Sequence, residues 1–396
     1  MWANTLTIGV DARALRLYLV VNPFPHMKVV IAHGGNIGFQ GGGTLRVLTF
    51  AKSLAERGYD VSLVVPKPVG NIPEDVRESV RIYTVPVEPR GLWSQITRAI
   101  FVSLKAKKLA EKEGAILQIE HSTLGGIASF LGCSNYVLDV HDLEFDGDQY
   151  RSIPLASKGI YYLERRAVKK ASKIIAVSDV MKDFISKEWG IEKSKIDVIP
   201  NGVRSKILNF KTDEKEEEGL VSFLGVLTHN IDYEKIFLLS KELEKTRIFV
   251  IGDGPMRYKL LKRLKGGNIA NVIVPGYLLD EKAYSILARS QVCIFPLRDT
   301  FHTRVAAHMK AFDYAALGKA IATDRDATAR VFEMHDAALV SDPSKPEEFV
   351  ENVRRLLNDE GLRKRLGMRA RKLAENFTWE KQGEKLVRLY ERIQFS

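Results

Sequence analysis

Short apolar runs alternate with amphipathic helical segments along most of the chain, and this alternation constrains the fold more than any other feature. Runs typical of buried strands occur at residues 29–32, 60–65, 115–119, 136–140 and 173–177, and again at 221–224, 247–251, 271–274, 292–295, 320–322 and 338–340. Strands that are separated by helices form parallel sheets covered on both faces. The sequence therefore predicts an α/β protein with two doubly wound, Rossmann-like parallel sheets.

A break between the two halves is predicted near residue 203. A strand ends there in the turn Pro200, Asn201 and Gly202, and residues 211–218 are almost wholly charged. Both features are typical of a domain boundary. We expect an N-terminal domain at 27–203, a C-terminal domain at 204–375, and a helix at 376–396 that packs back on the N-terminal domain. The carboxyl ends of the two sheets should face each other across a ligand-binding cleft.

The first 26 residues differ from the rest of the chain. Their one apolar stretch, 14–21, is interrupted by Arg16, and they lack the basic start and the cleavage site of a signal peptide. From Met27 the chain runs directly into the first predicted strand. We expect Met27 to be the functional start and 1–26 to be a poorly ordered extension.

The charge balance favours anionic partners. The chain has 60 Lys and Arg against 49 Asp and Glu, a net charge of +11, and 45% of its residues are hydrophobic. Such a composition excludes a disordered chain and favours contact with phosphates, nucleic acid or an acidic membrane surface. Cys133 and Cys293 lie far from each other and from any CxxC or His/Cys cluster, so no zinc site or redox pair is predicted. No apolar run approaches the ~20 residues that cross a bilayer, and we expect a cytoplasmic protein.

A glycine-rich loop connects the first strand to the first helix. It runs from His33 to Gly43 and ends in Gly41, Gly42 and Gly43. Its spacing matches neither a dinucleotide fingerprint nor the Gly-Lys-Ser/Thr of a phosphate loop. A loop that closes over an acceptor or a phosphate is the favoured interpretation, and a structural turn is the alternative.

Two further strand ends carry candidate site residues. His141 and Asp142 follow the strand at 136–140, so both side chains should stand at the edge of the cleft. A packing or capping role for His141 is equally compatible with the sequence. Gly252 and Gly254 follow the strand at 247–251, in a turn that is common between strands and helices in general.

The segment after Cys293 carries the largest group of candidate residues. Arg298, His302 and Arg304 lie on the loop after a strand, and Lys310 and Asp313 lie in the helix that follows. Basic groups and a helix start at one cleft-facing loop suit a ligand with phosphates and a hydroxylated ring. Ordinary surface charge is the alternative explanation.

Together these segments resemble glycosyltransferase family 4, whose members are retaining enzymes of the GT-B fold. The resemblance spans about residues 27–396 and is carried by the glycine-rich loop, by 167–203, by the turn at 252–255 and by 310–319. It implies a nucleotide-sugar donor on the C-terminal domain, a glycan or lipid-linked acceptor on the N-terminal domain, and no metal. It also implies front-face transfer in which positive groups stabilise the leaving diphosphate.

The resemblance assigns roles to individual residues. Asp313 occupies the place of the second glutamate in the family's Glu-x7-Glu pattern, which contacts the donor ribose, and His141 matches a histidine beside the transferred sugar. Gly276 and Tyr277 match the region that receives the base. Gly225 lies in the loop after the first strand of the second domain.

Two departures from the family pattern leave alternatives open. The first glutamate of the pattern is replaced by Val305, and the Arg/Lys pair expected after the strand at 221–224 is absent. We expect Arg298, Arg304 and Lys310 to neutralise the diphosphate instead. A catalytically degraded GT-B protein that binds a ligand or partner is the main alternative. A nucleotide-sugar epimerase is a second, minor alternative. Nucleic-acid binding is not expected, because the positive charge is spread along the chain.

A predicted helix at 93–112 bears on the acceptor. Trp93, Ile96, Ile100 and Leu104 share one face, and the basic residues Arg98, Lys105 and Lys112 form a stripe on the other. A solvated basic face on a packed helix is one interpretation. The other is peripheral contact with an anionic membrane at the inner face, where a lipid-linked acceptor would lie.

Overall fold

The computed structural model describes residues 27–38, 42–87, 92–147, 150 and 153–394. The expected extension at 1–26 and Gly41 lie outside these residues, as do the side chains of Leu92, Trp93 and Gln394.

The N-terminal half contains a seven-stranded parallel sheet with the strand order β3-β2-β1-β4-β5-β6-β7. Its strands are β1 (Lys28–Ala32), β2 (Asp60–Pro66), β3 (Arg81–Val85), β4 (Ile116–Glu120), β5 (Tyr136–Val140), β6 (Ala171–Ala176) and β7 (Ile196–Val198). Its helices are α1 (Gly42–Glu56), α2 (Glu74–Ser79), α3 (Leu92–Glu113), α4 (Ser122–Phe130), α5 (Pro154–Lys170) and α6 (Asp179–Trp189). Ser178 caps α6, as its position after a strand suggests, because its hydroxyl accepts the Met181 N–H.

The C-terminal half contains a six-stranded parallel sheet with the order β10-β9-β8-β11-β12-β13. Its strands are β8 (Glu217–Leu224), β9 (Arg247–Ile251), β10 (Val272–Gly276), β11 (Ser290–Phe295), β12 (Ala320–Asp324) and β13 (Leu339–Ser341). The helices from residue 205 to 374 are α7 (Ser205–Leu208), α8 (Tyr233–Glu242), α9 (Arg257–Gly266), α10 (Asp280–Arg289), α11 (Phe301–Val305), α12 (Lys310–Ala316), α13 (Ala327–Met334), α14 (Pro346–Asn358) and α15 (Glu360–Ala374).

The last helix, α16 (Trp379–Gln394), packs on α1 of the N-terminal half. The Trp379 ring meets Phe50 edge-on at 6.4 Å, and Tyr390 meets Tyr59 at 5.9 Å. These side chains join one of the two apolar layers that cover the N-terminal sheet. The chain thus crosses between its halves twice.

Helix α11 lies in the C-terminal half of the sequence but packs against the N-terminal sheet. The Phe301 ring lies 5.3 Å from Phe145 and 4.8 Å from Phe184, and Val305 is buried in the N-terminal core. The His302 N–H donates to Asp146 at 2.9 Å. These contacts bring the carboxyl ends of the two sheets together.

Candidate active site

A cavity of about 390 Å³ lies between the two sheets at the carboxyl ends of their strands. Its N-terminal wall includes Gly42, Gly43, Arg46, His121, His141, Asp142 and Asn201, and its C-terminal wall includes Gly225, Thr228, Asn230, His302, His308 and Lys310. A larger groove of about 570 Å³ lies between α1 and α16, away from the strand ends. Polar groups from both domains converge only on the first of these two, which makes it the candidate site.

His141 is held by a buried ionic network. Its Nε2 lies 2.7 Å from Glu120 Oε2 and 3.3 Å from Asp139 Oδ2. Both oxygens of Asp139 also accept from the buried Arg46, at 2.8 and 2.9 Å. The same Arg46 side chain reaches the Pro200 carbonyl at 3.3 Å, so it ties α1 to the end of the domain.

The network sets the charges at the site. Burial opposes the charged form of His141, but the neighbouring Asp139 and Glu120 raise its pKa to about 9. Burial also disfavours ionised Asp139, but Arg46 and His141 hold the pKa of that carboxyl below its ordinary range. Burial and the charge of Asp139 raise the pKa of Glu120. His141 therefore presents an imidazolium to the cavity at neutral pH.

Two further histidines, His33 and His121, accompany His141, and neither was predicted as a site residue. His33, His121 and His141 follow β1, β4 and β5, three neighbouring strands of the sheet. The His121 and His141 rings lie 4.6 Å apart. Burial, with the charge of His141, lowers the pKa of His33 to about 3 and that of His121 well below its ordinary value. His33 and His121 are therefore neutral, and His141 beside them is cationic. All three follow strand ends, and this shared position could have identified them from the sequence.

The glycine-rich loop reaches the cavity through Gly42 and Gly43, which begin α1. A Cβ on Gly42 would lie 3.0 Å from Met309 Sδ, and one on Gly43 would lie 3.7 Å from His141 Nδ1. A side chain at Gly42 would therefore crowd the opposite domain, and the bare backbone there keeps the cavity open.

The predicted donor-site glycines fall into two groups. Gly225 lines the cavity, whereas Gly252 and Gly254 lie behind it with φ of 141° and 155°. A Cβ on Gly252 would overlap the Gly225 carbonyl oxygen. These two glycines therefore shape the wall without lining it. Gly276, with φ of 85°, and Tyr277, which is 69% exposed, also lie off the wall.

Two of the residues predicted to bind the phosphates, Arg298 and Arg304, do not line the cavity. Arg304 is 62% exposed and forms a two-point ion pair with Asp299 at 2.7 and 2.8 Å. Arg298 is exposed and does not line the cavity. Arg304 is therefore paired with Asp299, five positions earlier in the chain. The sequence alone does not show that these two side chains pair. Lys310 does line the cavity, as expected.

The positions that match the family's Glu-x7-Glu pattern are both buried. Asp313 lies behind Lys310, whose Nζ donates to its Oδ2 at 3.0 Å. Val305 packs into the N-terminal core, so it offers no polar group to the cavity. Polar contact from this segment therefore comes from other residues on either side of Val305.

His302 and His308 supply that contact. The ring of His302 lies 3.4 Å from Asp142 across the domain boundary, and His308 Nδ1 lies 2.6 Å from Asp326 Oδ2. His302 was singled out in the sequence and His308 was not. Asp326, the carboxylate that orients His308, is 18 positions further along the chain, which hides the pair from sequence analysis.

The described residues include one cluster with the composition of a metal site, formed by Glu120, Asp139 and His141. Arg46 already donates to both oxygens of Asp139, and His141 Nε2 already faces Glu120. Positive charge is thus supplied from within the chain. These contacts favour an ionic network over cation binding.

Two Rossmann-like domains that face each other across a polar cleft define the GT-B fold. The chain belongs to glycosyltransferase family 4. The model described as Glycosyltransferase Family 4 matches residues 40–206, and that described as Glycosyl transferases group 1 matches 205–373.

The relatives with similar sequences are also glycosyltransferases. An uncharacterized glycosyltransferase of Methanocaldococcus jannaschii is 24% identical over 72% of this chain and 78% of its own length. Chitobiosyldiphosphodolichol beta-mannosyltransferase of Candida glabrata is 22% identical over 74% of this chain and 76% of its own. UDP-Gal:alpha-D-GlcNAc-diphosphoundecaprenol alpha-1,3-galactosyltransferase of Escherichia coli is 28% identical over 45% and 46%.

Solved structures share the architecture at low sequence identity. Sucrose-phosphate synthase of Thermosynechococcus elongatus is 16% identical with a TM-score of 0.75, covering 93% of this chain and 99% of that one. HepE of Anabaena, solved with UDP and glucose, is 15% identical with a TM-score of 0.68, covering 92% and 100%. At this identity the comparison establishes the fold.

Proposed function

We propose that this protein is a retaining glycosyltransferase that moves a hexose from a nucleoside-diphosphate sugar to a glycan or lipid-linked acceptor. The observation that carries the proposal is the cationic His141, held by Glu120 and Asp139, across one cavity from Lys310. A sugar bound between the domains would have His141 on one side and the basic groups of the C-terminal wall on the other.

The proposed reaction needs no protein nucleophile. The acceptor oxygen bonds to the anomeric carbon on the face from which the diphosphate leaves, the carbon–oxygen bond to the diphosphate breaks, and the acceptor proton passes to the leaving oxygen. His141 Nδ1 has no hydrogen-bond partner among the described residues, so it is available to a hydroxyl of the transferred sugar. Lys310 stabilises negative charge on the diphosphate.

The donor is proposed to bind the C-terminal wall. The loop at Gly225 and the segment at 306–310 face the cavity there, and a structural neighbour binds UDP and UDP-glucose. No metal is expected in this scheme, because Arg46 and His141 already neutralise the buried carboxylates. Activity that persists in excess EDTA would agree with it.

Helix α3 supports a lipid-linked acceptor. Its core-facing side is formed by small residues, Ala99, Ser103, Ala106 and Ala110, together with Val102. Ile96, Phe101 and Leu104 are exposed instead, beside the exposed Lys105, Lys108 and Lys112. Ile96 and Leu104 of the predicted apolar stripe therefore do not pack on the core, and Arg98 is half-buried near His33.

Exposed apolar and basic side chains on one helix suit the surface of an anionic bilayer. No helix of the described chain is long and apolar enough to span a membrane. We propose peripheral contact at the inner membrane face. Two of the relatives act, by their names, on diphosphate-linked polyprenol sugars.

The membrane contact is tested by flotation with vesicles of phosphatidylglycerol and phosphatidylcholine. The triple variant Lys105→Glu, Lys108→Glu, Lys112→Glu should lose binding, and Lys259→Glu, Lys262→Glu, Lys265→Glu on α9 is the matched control. Equal flotation of both variants would overturn the contact.

The activity is tested by titrating the protein with UDP, GDP and ADP, followed by turnover of the matching nucleotide sugars. Slow donor hydrolysis or transfer should accompany binding of one nucleotide, and the anomer of the product, read by NMR, tests retention. Binding without turnover would favour the degraded GT-B alternative. Failure to bind any of the three would overturn the transferase proposal.

A further inference from the structure

The C-terminal wall of the cavity holds few cationic groups. Its loop after β8 contributes Gly225, Thr228 and Asn230 and no Lys or Arg. Among the described residues, the basic side chains that line this wall are His302, His308 and Lys310. Lys310 donates a hydrogen bond to Asp313, and the His302 ring lies 3.4 Å from Asp142 of the other domain. The third of these basic side chains, His308, has not yet been assigned a role.

His308 is fixed by a buried carboxylate. Its Nδ1 lies 2.6 Å from Asp326 Oδ2, and the other oxygen of Asp326 accepts the Ala329 N–H at the start of α13. The Asp326 side chain is almost fully buried, and the Phe295 ring lies 5.2 Å from the imidazole. The ring therefore has one orientation, set by a helix cap.

The second nitrogen of His308 is available to a ligand. Nε2 lies on the opposite side of the ring from the bond to Asp326, it has no partner in the described part of the chain, and the ring forms part of the cavity wall. The bond from Nδ1 to Asp326 orients the ring, so a hydrogen bond donated by Nε2 as well requires the imidazolium form, which an anionic ligand in the cavity would stabilise. The arrangement therefore directs Nε2 at the cavity and suits an anionic ligand.

We propose that His308, oriented by Asp326, donates its Nε2–H to the donor diphosphate and replaces the missing basic pair of the loop after β8. This inference rests on the proposed transferase function and goes beyond it by assigning a second group, beside Lys310, that stabilises the leaving diphosphate. As the bond to the anomeric carbon breaks, its electron pair stays on the diphosphate oxygen. The hydrogen bond from His308 strengthens with that charge, and the His308 N–H bond does not break.

The proposed hydrogen bond requires a protonated His308 in the complex, so the proposal predicts that diphosphate binding depends on pH. The other ionisable groups around the cavity are Asp326, Lys310, Asp313, His302, Asp142, His141, His121 and Arg46. Since several of them also titrate, the effect of His308 is isolated by replacing it with a side chain of constant charge. His308→Arg supplies that control, because a guanidinium remains charged over the accessible pH range.

The test measures binding of the nucleoside diphosphate that the wild-type protein accepts, and of the matching nucleoside. His308→Gln should raise the Kd of the diphosphate 10- to 100-fold, leave the Kd of the nucleoside unchanged, and lower kcat of donor hydrolysis about 100-fold. Affinity for the diphosphate should fall with rising pH in the wild type more steeply than in His308→Arg. The exposed His335→Gln is the matched control.

The outcomes separate this inference from the function on which it rests. If the wild type binds no nucleoside diphosphate, the proposed function fails. If the wild type binds and turns over a donor while His308→Gln keeps the same Kd and kcat, the role of His308 is wrong. If His308→Gln does not fold, the pH comparison with His308→Arg decides, and identical pH profiles would overturn the proposal.

Discussion

At the residue scale, the pair Arg46 and Asp139 is the most consequential structural contact of the N-terminal domain. Both side chains are fully buried, and the pair joins α1 to β5 beneath the cavity. A buried carboxylate that loses its cation is left uncompensated in a medium of low polarity. We therefore expect the pair to contribute to the stability of the domain, and its carboxylate, with Glu120, raises the pKa of His141.

Replacing Arg46 with Ala should lower the free energy of unfolding by about 3–5 kcal/mol, because the buried Asp139 would lose its two-point ion pair and keep only His141, at 3.3 Å. Chemical denaturation of the two proteins measures the difference. Arg57→Ala, in an exposed pair with Glu391 at the other end of α1, is the control and should change stability by less than ~1 kcal/mol. A similar small loss in Arg46→Ala would contradict the structural role.

The raised pKa of His141 predicts a pH-dependent stability. Because the folded pKa of about 9 exceeds the ordinary 6.5, the bound proton stabilises the folded state. That contribution is complete below pH 6.5 and disappears as the pH rises through about 9. The stability gap between the wild type and His141→Gln should therefore narrow across this window. Denaturation curves at pH 6 and pH 9.5 test it, and a constant gap would show that His141 is not charged.

We expect Asp313 to contribute to binding of the nucleotide donor. Asp313→Ala should weaken nucleotide binding about tenfold with the fold intact, because the carboxylate positions Lys310 at the cavity wall and occupies the ribose-binding place of the family pattern. Isothermal titration with the accepted nucleotide, beside a thermal unfolding curve, provides the measurement. An unchanged Kd would remove Asp313 from the site. Asp253→Ala, whose exposed carboxylate lies outside the cavity, is the control.

At the element scale, α16 completes the N-terminal domain although it is the last helix of the chain. Trp379 is almost fully buried between α1 and the turn at Gly202, where a Cβ would lie 2.7 Å from the tryptophan backbone. The Val203 N–H donates to the Phe377 carbonyl at 2.7 Å, so the two crossings between domains are bonded to each other. The two chain segments that connect the domains therefore lie side by side and are hydrogen-bonded to each other.

Trp379→Ala should lower the free energy of unfolding by about 3–5 kcal/mol, because it leaves a cavity under α1. Met368→Ala, at an exposed position of α15, should have little effect. Denaturant unfolding followed by circular dichroism measures both variants. If the two variants lost the same stability, the packing of α16 would not contribute as described.

The elements show why part of the fold followed from the sequence and part did not. Central strands such as β1 and β11 were predicted because both of their faces are buried, which gives a continuous apolar run. The edge strand β3, with the sequence RIYTV, is half exposed and was missed. At the site, the position of His141 followed from its strand end, but Arg46, which pairs with the neighbouring Asp139, lies 95 positions before His141 and comes close only in the folded chain.

At the scale of the whole molecule, α11 joins the two domains over the cavity. Phe301, Val305 and the backbone of His302 contact the N-terminal domain, and Asn201 Nδ2 donates to the Ala307 carbonyl at 3.0 Å. The described structure is therefore a closed arrangement. The stability of this closed arrangement relative to an open arrangement depends on these contacts between α11, the segment after it and the N-terminal domain.

Phe301→Ala should open the free protein, because the aromatic contacts with Phe145 and Phe184 are lost while each domain keeps its own core. Small-angle X-ray scattering should show a larger radius of gyration, which saturating nucleotide reduces again. Phe101→Ala, on the exposed face of α3, should scatter as the wild type does. An unchanged radius of gyration in Phe301→Ala would show that α11 does not hold the domains together.

The return of α16 to the first domain also has a consequence for synthesis on the ribosome. Domains commonly fold as they emerge, the N-terminal one first. Here the groove on α1 stays uncovered until residues 379–394 leave the exit tunnel, by which time the entire second domain has been made. The first domain begun is therefore the last to be completed, and a nascent chain that stalls near its end exposes Phe50 and Leu54 to chaperones and to other chains.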